Sequence, residues 1–256
     1  MAWLDGYLDK PPERSLRSDY QDISWAYSDL SPDEFVELFD GLIFTTESGR
    51  YLPSLVRWEQ RELTFAVAGQ TNQDQLFGVR RFLEALSVLM NRSFAEIDSA
   101  TEADITVQFG SRRRLLEKSG QLLWSDPDED IKGRLRRRAL CWAVVHFSSH
   151  ETVTGNVSTR PPQIVSAWAF IPAALPPTLT RACIVEELSH AVGVQNDLPW
   201  LHSVFSDEIH ISMLTETDRA IIRALYDDRL HTGMARARVL KAVRDWFEED
   251  RARTLQ

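Results

Sequence analysis

The chain is poor in cysteine: Cys141 and Cys183 are the only two in 256 residues. Two cysteines are too few for a disulfide scaffold, and this pair is not spaced for a zinc knuckle. They can still pair with each other. In an oxidising compartment the bridge would tie an expected strand to the start of an expected helix; in a reducing one both would be buried thiols. Long apolar runs are also missing, since nothing approaches the roughly 20 residues that a membrane-spanning helix needs. The start, Met1-Ala2-Trp3-Leu4-Asp5, has no basic lead and no apolar stretch, so the chain as given carries no export signal and reads as cytoplasmic on that basis. A positive charge balance is absent too. With 29 Lys and Arg against 38 Asp and Glu, the net charge of -9 argues against a nucleic-acid binder. Arg112-Arg113-Arg114 and Arg134 with Arg136-Arg137-Arg138 form local basic clusters that read first as solvated surface, with a face for an acidic partner as the alternative. Repeats and low-complexity tracts are lacking.

What is present is an ordinary globular composition, 43% hydrophobic and 26% charged, on a chain long enough to bury a sizeable core. The first thirty residues read as an arm, and Ser31-Pro32-Asp33-Glu34 is a helix start with a capping box, giving a helix to about Phe39. From Arg61, Leu63, Phe65 and Val67 alternate and Gly69 closes a strand. Asn72 to Met90 carries Leu76, Val79, Leu83, Leu86 and Met90 at helical spacing. A strand fits Ala103 to Phe109, a short basic helix Ser111 to Lys118, and an acidic loop Ser125 to Asp130. Leu140 to Phe147 and Ile164 to Ile171 are strands by their β-branched and aromatic content, with Glu151 to Pro162 as a long hairpin loop between them. Helices follow at about Thr178 to Val192, from Thr215 with Asp218 as a capping box, and at about Ala235 to Glu249, where Val239, Val243 and Phe247 make the packed face.

The residues with chemistry lie in Glu186-Glu187-Leu188-Ser189-His190. In zinc proteases with His-Glu-x-x-His, two histidines four apart on a helix point at one metal and the Glu between them reaches a water. Glu186 and His190 have that spacing, and Glu187 holds the place of the catalytic base. Gly193 and Asn196 extend the pattern to Glu-Glu-x-x-His-x-x-Gly-x-x-Asn, with a carboxylate for the first histidine and an amide for the third ligand. The candidate metal set is therefore Glu186, His190, Asn196 and His202, with Asp197, Asp207 and His210 near enough in sequence to contribute. A carboxamide is a weak zinc ligand, so the substitutions weigh toward no cofactor, with zinc as the alternative. The same helix also has a bland explanation: acids are favoured in an early turn, and Glu186 with His190 is a good i,i+4 pair. His146 reads as a hydrogen-bonded structural histidine. Trp168 and Phe170 fit a cleft lining and core packing equally well.

Cys183 to Asn196, Ser203-Val204-Phe205-Ser206-Asp207, and Leu214 to Asp227 with its Leu225-Tyr226-Asp227 resemble the proteobacterial domain-of-unknown-function 2927 family over roughly Arg57 to Met234. That family resembles the zincin metallopeptidases and, more distantly, the matrixin-like metzincins; Phe205 stands where their turn methionine would be. The resemblance implies an α+β, zincin-like fold: a mixed, mostly parallel sheet of four to five strands with a backing helix, a motif helix and C-terminal helices. It divides the chain into an N-terminal arm and helix (1-56), a zincin-like domain (57-234) and a C-terminal helix (235-256). It also implies that many members bind no zinc, and that members are exported to the bacterial periplasm or envelope where a signal has been removed.

The leading expectation is thus a zincin-fold protein without hydrolytic activity, a binding or assembly module gripping a protein or peptide along an Ile164 to Ile171 edge strand. The alternatives are a zinc-dependent metallopeptidase using Glu-Glu-x-x-His, and a structural subunit of a larger envelope assembly.

Overall fold

The computed structural model describes residues 26–46, 49, 51–122, 139–148, 162–206 and 211–254. The expected loop at Ser125 to Asp130, that at Glu151 to Pro162 except Pro162 itself, most of the N-terminal arm, the Arg134 to Arg138 cluster, Asp207 and His210 lie outside the described residues. Six helices and five strands are formed among those described: α1 Pro32–Ile43, β1 Glu62–Gly69, α2 Gln73–Met90, β2 Ser93–Glu96, β3 Ile105–Gly110, α3 Arg112–Leu122, β4 Trp142–Phe147, β5 Ile164–Pro172, α4 Pro177–Ala191, α5 Glu216–Leu225 and α6 Arg236–Thr254. None of these helices is long and apolar enough to cross a membrane.

The strands make one sheet in the order β2-β1-β3-β5-β4. β1 runs parallel to β2 and β3, β3 runs parallel to β5, and only β4 is antiparallel, paired with β5. The expected hairpin between Leu140 to Phe147 and Ile164 to Ile171 is therefore formed. The expected edge is corrected: β5 is bonded on both sides, and β4 is the outer strand. β5 pairs with the fully buried β3 on its inner side, which leaves the half-buried β4 outside. β2 was not expected; at four residues, three of them exposed or nearly so, it carries no alternation to read.

Both faces of the sheet are covered, as a mostly parallel sheet requires. Ala167, Ala169 and Ile171 of β5 face the large apolar cluster shared with Leu86 of α2 and Leu188 of α4. Trp168 and Phe170 point the other way and pack with Trp142, Val144 and Leu115 beneath α3. They are core residues on the face opposite α4, and do not line a cleft beside it.

The helix starts form as their sequences dictate. The Ser31 amide donates to Glu34 Oε2 at 2.7 Å, and the Glu34 amide to Ser31 Oγ at 3.3 Å. At α5 the Thr215 amide donates to Asp218 Oδ2 at 2.8 Å and receives the reciprocal bond on its hydroxyl at 3.1 Å. Val239, Val243 and Phe247 are buried as expected, and Phe247 stacks on Phe35 of α1 with ring centroids 4.5 Å apart. The first and last helices thus close over one core together. Arg236 adds a paired contact to Asp40, its Nε donating to Oδ1 at 2.5 Å.

Cys141 and Cys183 are bonded to each other, with their Cα atoms 5.9 Å apart. The bridge fixes the start of the edge strand to the second turn of α4. The loop it closes spans 42 residues, and such a loop restricts the unfolded chain by about 4 kcal/mol. Urea unfolding of the Cys141→Ser/Cys183→Ser double variant is expected to show a loss of about that size, with native secondary structure retained in dilute buffer.

Candidate functional site

Helix α4 is buried on almost every side: Cys183, Ile184, Val185, Glu187, Leu188, Ser189, His190 and Ala191 are all inside. A helix so enclosed must satisfy its polar groups within the protein. Ser189 Oγ donates back to Val185 O at 2.7 Å. Trp58 Nε1 donates to Ala191 O at 2.9 Å, and the Tyr226 hydroxyl to Val192 O at 2.7 Å, so two carbonyls at the helix end are taken by aromatic side chains from distant segments.

The helix stops in a turn that needs glycine. Gly193 has φ +111°, its amide donates to His190 O at 2.9 Å, and the Val194 amide to Ser189 O at 3.3 Å. These are the two bonds of a Schellman end. The chain then doubles back beside its own helix. The Gln195 amide donates to Leu42 O at 2.8 Å, and Asn196 Nδ2 to Gly41 O at 3.1 Å, so the end of α1 anchors the returning segment.

This return brings Asp197 to His190. One ligand atom from each of Glu186, His190 and Asp197 lies within 4.8 Å of the others. His190 Nδ1 is 2.9 Å from Val194 O. A carbonyl only accepts, so Nδ1 carries a proton there and Nε2 is the atom turned to Asp197. Nε2 stands 3.4 Å from Asp197 Oδ1, with side chains only 6% and 8% exposed. That approach makes no hydrogen bond, and Asp197 Oδ1 is buried without a hydrogen-bond partner. A buried carboxylate oxygen left so is costly, by about 1–3 kcal/mol or more. A positive charge, either a second proton on the imidazole or a cation between the two atoms, removes the cost. An imidazole whose other nitrogen is pinned to a backbone carbonyl is also the usual arrangement of a metal-ligating histidine.

The expected candidates are thus distributed as follows. Glu186 and His190 come together, with Asp197 as their third member. Asn196 sits next to the cluster with its amide nitrogen turned to α1, and His202 is exposed. Glu187 is 3% exposed, and its carboxylate is within 4.8 Å of both the Glu186 carboxylate and Cys141 Sγ, beside the disulfide. Phe205 packs edge-on to the His190 ring, centroids 6.0 Å apart. It is held by Ser203, whose hydroxyl accepts from the Phe205 amide at 3.0 Å and donates to Asp218. Burial pushes the Asp218 carboxyl above its ordinary value against the hydrogen bonds from Ser203 and Thr215. His146 is satisfied, at 2.8 Å from Ser166 Oγ and 3.2 Å from Leu122 O.

The family model of DUF2927, a protein of unknown function, matches residues 32–245. The chain belongs to that family. The DUF2927 match reaches from α1 into α6, beyond the Arg57 to Met234 stretch that carries the resemblance, and so takes in the helix α1 that anchors the site's returning segment. A search of curated proteins returns no match.

Sequence reasoning did not find Trp58, whose local sequence resembles that of other core aromatics, and it marked Tyr226 only within Leu225-Tyr226-Asp227, without its role; the two hold the end of α4. Gly193 is testable alone. A Cβ there would meet only ordinary contacts, the nearest being Ile164 Cδ1 at 3.4 Å, so the cost of Gly193→Ala comes from its backbone angle. A loss of about 1–3 kcal/mol in chemical denaturation is expected.

Proposed function

We propose that this DUF2927 protein is a zincin-like binding module in which Glu186, His190 and Asp197 hold a divalent cation without hydrolysing a substrate. The single observation that carries the reading is Asp197 Oδ1, buried with no hydrogen bond 3.4 Å from His190 Nε2. The fold supports it in coarser terms, since a five-stranded, mostly parallel sheet with an antiparallel edge, ahead of a helix bearing Glu-Glu-x-x-His, is what the zincin resemblance implies. One imidazole and two carboxylates suit zinc, manganese or iron(II) as a donor set. When bound, such a cation supplies Lewis acidity.

Binding is preferred to catalysis because the donors are nearly closed off. Side-chain exposures of 6% and 8% at His190 and Asp197 favour an enclosed site, whereas catalytic metal sites keep an open position. Metallopeptidase chemistry is the second reading. It rests on Glu187, which holds the motif place of a general base and whose buried carboxylate lies within 4.8 Å of that of Glu186, on the Cys141 side. The disulfide favours an oxidising compartment, and so export, for either reading.

Protein purified without chelator, stripped and then titrated with zinc and manganese by calorimetry, is expected to bind one equivalent of at least one of them. His190→Ala and Asp197→Asn should each weaken binding at least tenfold. A ligand at a hundred times its dissociation constant would add about 2.7 kcal/mol of stability, read as a rise in melting temperature. No heat with either metal, and under a tenth of an equivalent by elemental analysis, would sink the metal site. Metal-dependent cleavage of an unfolded protein substrate that Glu187→Gln abolishes would replace binding by the second reading.

A further inference from the structure

A separate cavity of about 240 Å³ opens at the carboxyl ends of β1 and β3, lined by Gly69, Gln70, Gln108, Gly110, Arg114 and Lys118 among others. Its position follows from the topology. β1 leads through α2 to β2 on one side of it, while β3 lies on its other side and leads into α3 across the opposite face of the sheet. The chain therefore departs in two directions from adjacent strand ends. That divergence is the place where open α/β sheets leave a crevice for a ligand.

The lining is cationic. Arg114 and Lys118 are one turn apart on α3, on the same side of the helix. Lys118 is half-buried, its Nζ donates to Gln108 Oε1 at 2.6 Å, and it stands 4.7 Å from the centre of the Trp168 ring. No carboxylate pairs with it among the described residues, and burial lowers its affinity for its proton. Arg114 is exposed and has no ion pair there either, whereas its neighbour Arg113 stands 3.9 Å from Glu117. Gln108 is itself only 8% exposed, and its Nε2 is fixed on Phe109 O at 3.0 Å, so the group that positions Lys118 is held rigidly. The floor needs glycine. Gly69 has φ +92°, and a Cβ on it would stand 1.9 Å from Phe109 O and 2.5 Å from Gln108 Nε2.

Two cations without an ion pair among the described residues, both lining one small cavity of mixed polar and apolar walls, are unexpected on a protein of net charge -9. We infer that this cavity is a binding site for a small oxyanion, a phosphate or carboxylate group, gripped by Arg114 and Lys118 at the β1/β3 divergence. The guanidinium supplies a planar fork for two oxygens and the ammonium a point charge. The site lies across the sheet from Glu186, His190 and Asp197 and does not depend on a metal there.

The test uses the full chain in EDTA at constant ionic strength, titrated with inorganic phosphate, acetate or chloride and followed by two-dimensional amide NMR. Saturable shifts around Gly69, Gln108 and Lys118 are expected, with phosphate or acetate binding at least tenfold tighter than chloride; which of the two leads names the oxyanion. Arg114→Gln and Lys118→Met should each weaken it at least fivefold, while Arg113→Gln should not. Lys118→Met keeps the apolar stem over Trp168, and circular dichroism checks that each variant is folded. Equal response to chloride, or unaltered affinity in a folded Arg114→Gln/Lys118→Met double variant, would overturn the proposal.

Discussion

The end of helix α4 is the constraint on which the site depends. An ordinary residue after Val192 would not turn the chain at φ +111° without strain, and the strand of residues after the helix would run away from it. Because Gly193 turns, Val194 O arrives where His190 Nδ1 can donate to it, and three residues later Asp197 is opposite Nε2. One backbone angle thus sets the tautomer of the histidine, the direction of its second nitrogen and the identity of the group facing that nitrogen. The two outer helices serve the same turn. Leu42 O and Gly41 O at the end of α1 accept from Gln195 and Asn196, and α1 is itself held by Phe247 and Arg236 of α6. Packing at both ends of the chain therefore reaches the site through two hydrogen bonds.

Enclosure of α4 decides much of its sequence. Its apolar residues do not form a stripe, because β4, β5, α2 and the segment around Trp58 touch it on different sides. A polar side chain in such a helix is retained only with a partner: Ser189 has its own helix, and His190 has a carbonyl and faces a carboxylate. The disulfide lies where the edge strand would otherwise be held to α4 by packing alone, so the covalent link and the acidic cluster share one corner of the fold.

Much of this was legible from residues alone. Ser31 with Glu34 and Thr215 with Asp218 placed two helix starts to the residue, because a capping box is local chemistry. The alternation of Leu63, Phe65 and Val67 placed β1, and the stripe through Val239, Val243 and Phe247 gave the packed face of α6. What failed was non-local. Nothing in Ile164 to Ile171 tells which of two neighbours it will pair with, so its place inside the sheet was invisible, and the two faces of β5 could not be told apart until α3 was seen over Trp168 and Phe170. β2 is too short to have a period. At the site, spacing brought Glu186 and His190 together because a helix fixes i,i+4 neighbours. Choosing among Asn196, Asp197 and His202 required the path of a turn, which sequence spacing does not specify beyond the glycine.

The bland account of Glu186 as an i,i+4 partner of His190 is weakened by Asp197 and not by any feature of the helix. One carboxylate four residues from a histidine needs nothing further. Asp197 brings a second carboxylate within 4.8 Å of the same imidazole, and one of its oxygens is buried without a hydrogen bond, a cost that a Glu-His pair on one helix does not carry. Glu187 adds a third carboxylate within 4.8 Å of the first. A proton on the imidazole offsets one charge; a divalent cation offsets two and also gives Asp197 Oδ1 a partner. The proposal of a cation therefore rests on the Asp197 oxygen, and it stands whether or not the residues match any motif.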